Sequence, residues 1–243
     1  MGKLVVFSGA GLSADSGIQT FRGTSGLWEG VDIDKVCNAL TWRSNYNAVH
    51  DFYNARRVDM TSKLPNAAHK MIATWQSRYE TVILTQNIDD LLEQVGCTDV
   101  VHLHGRINDM KCEACGHTWQ VAPGTVWKAG EDSCPRDFGN HVCGCKKAIK
   151  PGVVFFNEDA PNYRHLYNMI RDLTADDVIV VIGTTSRVIP IGSMISEKPG
   201  YRILNNLHET DDFHEKFTYQ DKFYMTASEA APLIDEKIRE RLG

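Results

Sequence analysis

Four apolar residues, Leu4-Val5-Val6-Phe7, run into Ser8 and then Gly9-Ala10-Gly11, with Ser13 and Asp15 close behind. This junction constrains the chain more than any other stretch. The apolar run fits a buried strand, and the residues after the glycines read as the first turn of a helix. Glycine at a strand-to-helix turn lets the backbone bend tightly and come close to a ligand. The helix start behind it offers free N–H groups and a positive dipole end, which suits a pyrophosphate. Gly9, Gly11 and Ala14 keep the G-x-G-x-x-G/A spacing of a dinucleotide-binding turn. An ordinary unit of that kind continues into a second strand, with an acidic residue roughly 20 positions on. Here the chain runs instead into Gly17-Ile18-Gln19-Thr20-Phe21-Arg22-Gly23, a loop-like stretch that can fold over a nucleotide.

The remaining periodicity alternates between helix and strand. Residues 45–60 and 66–77 read as helices, the second opened by Pro65-Asn66. Thr81 to Thr85 is a buried strand, 87–95 a helix and Val100 to Leu103 a short strand. After a break come a strand at Val153–Phe156, a helix at 163–173 and strands at 178–182, 201–204 and 222–225. A charged amphipathic helix over 228–242 closes the chain. Such alternation predicts an α/β fold, a doubly wound and mostly parallel Rossmann-like sheet. Ligands in these sheets bind beyond the carboxyl ends of the strands. A helical insert at 32–63 and a cysteine-rich insert at 111–149 interrupt the Rossmann-like part, which occupies 1–31, 64–110 and 150–243 of one catalytic domain.

Composition removes several function classes. The 243 residues carry a formal net charge of −5 with no basic run, so nucleic acid is not an expected partner. No apolar stretch approaches membrane-spanning length, so no membrane is expected either. The first strand starts almost at once, which leaves no room for a targeting peptide. Seven cysteines without such a peptide imply a reducing, cytoplasmic setting, with metal or free thiols rather than disulfides.

The 111–150 stretch is too polar to build an apolar core. Cys112-x-x-Cys115 and Cys143-x-Cys145 bracket it, with Cys134 between them. Paired cysteines across a loop are the pattern of a structural tetrahedral zinc site, and metal binding then supplies folding free energy. Five cysteines compete for four positions. The expected ligands are Cys112, Cys115, Cys143 and Cys145, with Cys134 the rival of Cys143.

Two further motifs come directly after strands. Thr85-Gln86-Asn87-Ile88-Asp89 sets an amide and a carboxylate where they can bind a ribose or a carboxamide; a helix-capping role is the plain alternative for Asn87. His102-Leu103-His104-Gly105 ends the next strand. Alternation puts both histidines on one face of an ideal strand and does not choose between them. His104 lies nearer the strand end.

Taken together, GAGLSADSGIQTFRG, TQNID and HG resemble, in this order, the cofactor and catalytic motifs of the sirtuins, NAD-dependent protein lysine deacylases. The resemblance spans nearly the whole chain, and it implies roles. Gly9, Ala10, Gly11, Phe21 and Arg22 would contact NAD from the loop. Gln86, Asn87, Ile88 and Asp89 would hold the nicotinamide and its ribose, with Asn87 and Asp89 counted among the catalytic groups. His104 would be the general base, in a titration range that suits it. Gly183-Thr184-Thr185-Ser186 resembles the turn that binds cofactor phosphate and ribose. Asn205 and Ala227 match the adenosine contacts. Val153, Val154 and Phe155 resemble the strand that pairs with a substrate peptide. The four-cysteine module holds zinc, and Cys145 matches the family's last ligand. The implied products are free lysine, nicotinamide and O-acyl-ADP-ribose. The chain departs from the family at Arg106, Asn157 and Asn206-Leu207-His208, beside the groove and the adenosine site.

Tyr53 and Arg56, three apart on a helix, can converge on a carboxylate. They resemble the Tyr-x-x-Arg by which class III sirtuins recognise succinyl, malonyl and glutaryl lysine. Cys37 falls where that class has a smaller alanine, which implies a tighter pocket. The expected activity is therefore removal of acetyl, and of succinyl or malonyl, groups from acyl-lysine proteins or peptides by a monomer. A sirtuin-like NAD glycohydrolase or ADP-ribosyltransferase, and a non-enzymatic NAD sensor, are the competing readings.

Overall fold

The computed structural model describes residues 2–20, 31–130, 132–135 and 145–243. The elements run β1 (Leu4–Ser8), a 3-10 helix (Ala10–Ser16), α1 (Ile33–Val36), α2 (Tyr46–Met60), α3 (Ala67–Arg78), β2 (Thr81–Thr85), α4 (Leu91–Gln94), β3 (Val101–His102), β4 (Gly105–Cys112), β5 (Thr118–Gln120), β6 (Ile149–Val153), α5 (Tyr163–Arg171), β7 (Val178–Ile182), α6 (Ile191–Ile195), β8 (Tyr201–Asn206), α7 (Phe213–Thr218), β9 (Asp221–Tyr224) and α8 (Ala227–Leu242). They form two compact units. The first holds Met1–Phe21, Leu64–Leu103 and Pro161–Gly243, the second Arg22–Lys63 and His104–Ala160.

The first unit is built on a six-stranded sheet in the order β3-β2-β1-β7-β8-β9, parallel throughout. Parallel strands covered on both faces need apolar side chains on both, and β1 and β7 are buried at every residue. Successive residues point to opposite faces. Leu4 and Val6 therefore join Trp75 of α3 and Ile234 of α8 in one core, while Val5 and Phe7 join Leu166 of α5 and Ile195 of α6 in the other. Side chains fix where the helices begin. Asn66 caps α3 in a reciprocal box with His69, and Thr226 caps α8 in another with Glu229. The chain order reverses between β1 and β7, and that reversal is the switch point where α/β sheets bind ligands.

The second unit contains a three-stranded antiparallel sheet, β5-β4-β6, with α1 and α2. α2 meets the cysteine-rich segment through polar bonds to its backbone. His50 Nε2 donates to the Ile149 carbonyl at 3.0 Å, Asn54 exchanges bonds with the Trp127 N–H and C=O at 2.8 Å each, and Arg57 Nε donates to the Ile107 carbonyl at 2.8 Å. These bonds satisfy buried backbone groups that a polar insert has no regular structure to pair.

The strands at 81–85 and 178–182 fall where the sequence put them. The strand expected at 153–156 instead spans Ile149–Val153. Glu158 ends it by accepting the Phe155 N–H at 2.9 Å, and Asn157 turns the chain with a φ of 62°. The helix expected from 87 to 95 is one turn only. Among the described residues no helix is long and apolar enough to cross a membrane.

Candidate active site

The carboxyl ends of β1, β2, β7 and β8 carry most of the cofactor residues read from the sequence. Gly9 N–H donates to the Ile182 carbonyl at 2.9 Å, Gly11 N–H to Gly183 at 2.9 Å, and Gly183 N–H to Asn205 at 2.8 Å. Three loops are thus stitched together at the switch point. Glycine is required there by contact. A Cβ on Gly11 would sit 2.6 Å from the Gly183 Cα, and one on Gly183, whose φ is +64°, would sit 2.4 Å from the Leu12 nitrogen. Gln86 joins this group, its N–H on the Ser8 carbonyl at 2.8 Å and its amide nitrogen on Thr184 Oγ1 at 3.0 Å. Ala10 begins the 3-10 helix, Ile88 is half-buried, Thr185 is exposed, and Ser186 holds a φ of 56° with its N–H on Thr184 Oγ1. Asn205 is buried, with its amide donating to the Phe223 and Met225 carbonyls at 2.9 and 3.0 Å. Ala227 is the first residue of α8.

Behind this rim lies a buried polar relay. Ser13 Oγ donates to Asp89 Oδ2 at 3.0 Å and accepts from Asn87 Nδ2 at 3.0 Å. His69 Nε2 reaches the same hydroxyl at 3.4 Å, while its Nδ1 accepts the Asn66 N–H at 3.3 Å. That acceptor role keeps Nδ1 bare, so the ring is neutral with its proton on Nε2. Burial pushes the His69 pKa down to about 4. Burial raises the Asp89 carboxyl, opposed by bonds from the Leu91 N–H and Ser13 and by the charge of His102. The relay therefore fixes the side chains of Asn87 and Asp89 before any ligand arrives. Ser13 and His69 were not singled out from sequence as site residues. The signal available was the position of Ser13 inside the glycine-rich stretch and of His69 three residues after the capping Asn66.

The two histidines separate. β3 ends at His102, so strand alternation does not govern His104. His102 is 4% exposed, with Nδ1 on the Asn87 carbonyl at 2.8 Å and Nε2 on Glu93 Oε1 at 2.9 Å. Its ring is committed at both ends. His104 is half-buried and belongs to the second unit, where its carbonyl accepts the Val154 N–H at 2.9 Å ahead of the left-handed Gly105.

In the second unit, Tyr53 is buried and stacks on Phe155 with centroids 5.8 Å apart. Its hydroxyl lies 3.4 Å from the Cys37 sulfur. Burial raises both groups, the Tyr53 phenol and the Cys37 thiol. The Arg56 guanidinium lies over the Phe52 ring at 4.9 Å, and burial lowers its pKa against the opposing charges of Asp59 and Tyr53. Tyr53 and Arg56 thus share one helix and feel each other, but each reaches a different neighbour. Lys150, 2% exposed, underlies Phe155 at 4.0 Å and pairs with Glu158 at 2.8 Å. Of the peptide-strand residues, Val153 lies in β6. The N–H groups of Val154, Phe155 and Phe156 are bonded to His104, Glu158 and Cys37. A peptide laid here would meet carbonyls and side chains rather than these donors.

Cys112, Cys115 and Cys134 come together, with their sulfurs all within 4.8 Å of one another and Cys115 and Cys134 at 3.7 Å. Zinc–sulfur bonds of about 2.3 Å at tetrahedral angles separate ligand sulfurs by about 3.8 Å, so this spacing fits zinc. Cys134, expected only as the rival, is fully buried with Met110, Trp127 and Ile149, and that packing delivers its sulfur to the cluster. Cys145 is not one of these three sulfurs but packs, half-buried, against the same cluster. Cys143, Phe21 and Arg22 lie outside the described residues.

The chain matches the profile of the Sir2 family over residues 9–190. It is 35% identical to a Helicobacter hepaticus protein named NAD-dependent protein deacylase, over 99% of this chain and 98% of that one. A protein of the same name from Campylobacter jejuni is 38% identical over 93% and 90%. Among solved structures, a Sir2 homologue–NAD complex superposes with a TM-score of 0.80 at 29% identity, covering 99% of this chain and 90% of that one. An ADP-ribose complex of a Sir2 homologue variant gives 0.82 at 29% identity over 98% and 92%.

Proposed function

Because the chain belongs to the Sir2 family, we propose that it removes acyl groups from protein lysines in an NAD-dependent reaction yielding nicotinamide and O-acyl-ADP-ribose. The observation that carries this reading is the relay that holds Asn87 and Asp89 through Ser13 at the carboxyl end of the parallel sheet, beside the stitched glycine turns. A cradle closed to any Cβ at Gly11 and Gly183 fits a pyrophosphate, and an amide and a carboxylate preset behind it fit a carboxamide and a ribose.

When bound, NAD supplies the group that accepts the acyl oxygen. The chain's own residues do the rest. Gly9, Ala10, Gly11 and the Gly183–Ser186 turn hold the phosphates. Gln86, Asn87, Ile88 and Asp89 hold the nicotinamide end, and Asn205 and Ala227 the adenosine end. Phe21 and Arg22 complete the loop. His104 takes a hydroxyl proton as general base, while His102, with both ring nitrogens engaged, does not. Tyr53 and Arg56 select the acyl group, and Val153, Val154 and Phe155 bear the peptide. Zinc, held by Cys112, Cys115, Cys134 and a fourth sulfur from the Cys143-x-Cys145 pair, is structural: a site closed by four thiolates leaves no position for a reacting water.

The test is mass spectrometry of products from NAD with acetyl-lysine and succinyl-lysine peptides. Nicotinamide with O-acyl-ADP-ribose is the expected outcome. Free ADP-ribose formed whether or not peptide is present would instead make the protein an NAD glycohydrolase.

A further inference from the structure

Both ring nitrogens of His102 face acceptors: the Asn87 carbonyl at 2.8 Å from Nδ1 and a Glu93 carboxylate oxygen at 2.9 Å from Nε2. A carbonyl only accepts, so Nδ1 carries a proton. A carboxylate accepts as well, so Nε2 carries the second. The ring is 3% exposed and Glu93 26%, so the pair is largely shielded from water. From the other side, Asn162 at the head of α5 donates to the His102 carbonyl at 2.8 Å and fixes the end of β3. Two further titratable groups bear on the pair: Asp89, beside His102, and Cys97, whose thiol burial and then Glu93 push up to about 11.

We propose that His102 is a positioning residue, an imidazolium clamped between Glu93 and the Asn87 carbonyl, whose charge state sets the Gln86–Asp89 turn for NAD. This rests on the reading of that turn as part of the NAD site. The Asn87 side chain is already held by Ser13 at 3.0 Å. Among the described residues its backbone is held by the Thr85 hydroxyl on its N–H at 3.1 Å and by His102 on its carbonyl at 2.8 Å. Loss of the Nε2 proton would set a nitrogen lone pair against the Glu93 carboxylate at hydrogen-bond distance. The ring would then have to rotate or Glu93 withdraw, and either movement loosens the donor on Asn87. The clamp therefore depends on the partner at each end of the ring.

Two measurements test this. Nitrogen NMR of labelled histidines, assigned with His102→Gln, should find both ring nitrogens of His102 protonated at neutral pH. In Glu93→Gln, only Nδ1 should be protonated. Calorimetric NAD affinity should fall about ten-fold in Glu93→Ala, the worth of one charge-assisted hydrogen bond. Glu93→Gln should keep most of the affinity, because its amide can donate to a neutral Nε2. His102→Phe should bind NAD weakly. A bare Nε2 in the wild type, or wild-type affinity in Glu93→Ala, would overturn the clamp. Absence of NAD binding altogether would sink the cofactor reading instead, and the NMR experiment would still decide the protonation of His102.

Discussion

The Tyr53 hydroxyl and the Cys37 sulfur lie 3.4 Å apart, buried together beneath the Phe155 ring. A thiol is a weak acceptor, so a carboxylate brought to this place would accept the phenol's hydrogen bond in preference. Arg56 would supply the charge, at a cost of leaving the Phe52 face. Arg56→Met should therefore lower kcat/KM for succinyl-lysine peptide about ten- to a hundred-fold, the worth of roughly 1.5–3 kcal/mol for a charged hydrogen bond. Acetyl-lysine turnover should change little. Equal losses on both peptides would show that Arg56 supports the helix and does not read the acyl group. Cys37→Ala should shift the preference towards the longer acyl chain.

On the proposed reading His104, rather than His102 with both ring nitrogens engaged, transfers the proton. His104→Ala should reduce kcat by about 10²- to 10⁴-fold, the range for a general acid–base group, with an unchanged circular-dichroism spectrum. Wild-type rates in this variant would remove it from the mechanism.

The sulfur geometry predicts one zinc per chain in reduced protein, measured by atomic emission. Cys134→Ser should lose that metal, since its sulfur sits 3.7 Å from Cys115 within a buried cluster. Cys145→Ser should keep more, because Cys145 stands outside the three-sulfur group. Retention in Cys134→Ser with loss in Cys145→Ser would restore the assignment that spacing alone suggests. Chelation should unfold the 112–145 segment, which has little apolar core of its own.

Neutral His69 makes folding sensitive to acid. Its pKa is about 4 in the fold against 6.5 unfolded, so the unfolded chain takes up the proton first as pH falls. Its contribution is complete above pH 6.5 and is lost between there and about pH 4, on the order of 3 kcal/mol in all. Urea midpoints measured across this window should fall steeply for the wild type and less steeply for His69→Gln, which can still accept from Asn66 and donate to Ser13. Parallel slopes in the two proteins would mean that His69 is not the group titrating.

The sequence by itself determined what local pattern can carry. Continuous apolar runs specified β1, β2 and β7, since strands buried on both faces need no polar partner residues. The glycine turn, the Gln86–Asp89 motif and the Cys112-x-x-Cys115 pair were legible because each is a pattern of near neighbours along the chain. Only the tertiary structure separated the surroundings of His102 from those of His104, because β3 stops at His102, whose ring meets Glu93 and the Asn87 carbonyl. It alone joined Ser13 to Asp89 and to His69, 76 and 56 residues away, and brought Cys134 to Cys112 and Cys115. It moved the strand expected at 153–156 back to Ile149–Val153, where Lys150 is buried against Glu158 and Phe155. In each case the deciding term is burial or a hydrogen bond across a long stretch of chain. Such a contact exists only once the chain has closed the loop between its partners, and the residues on either side of a partner do not say which distant group it will meet.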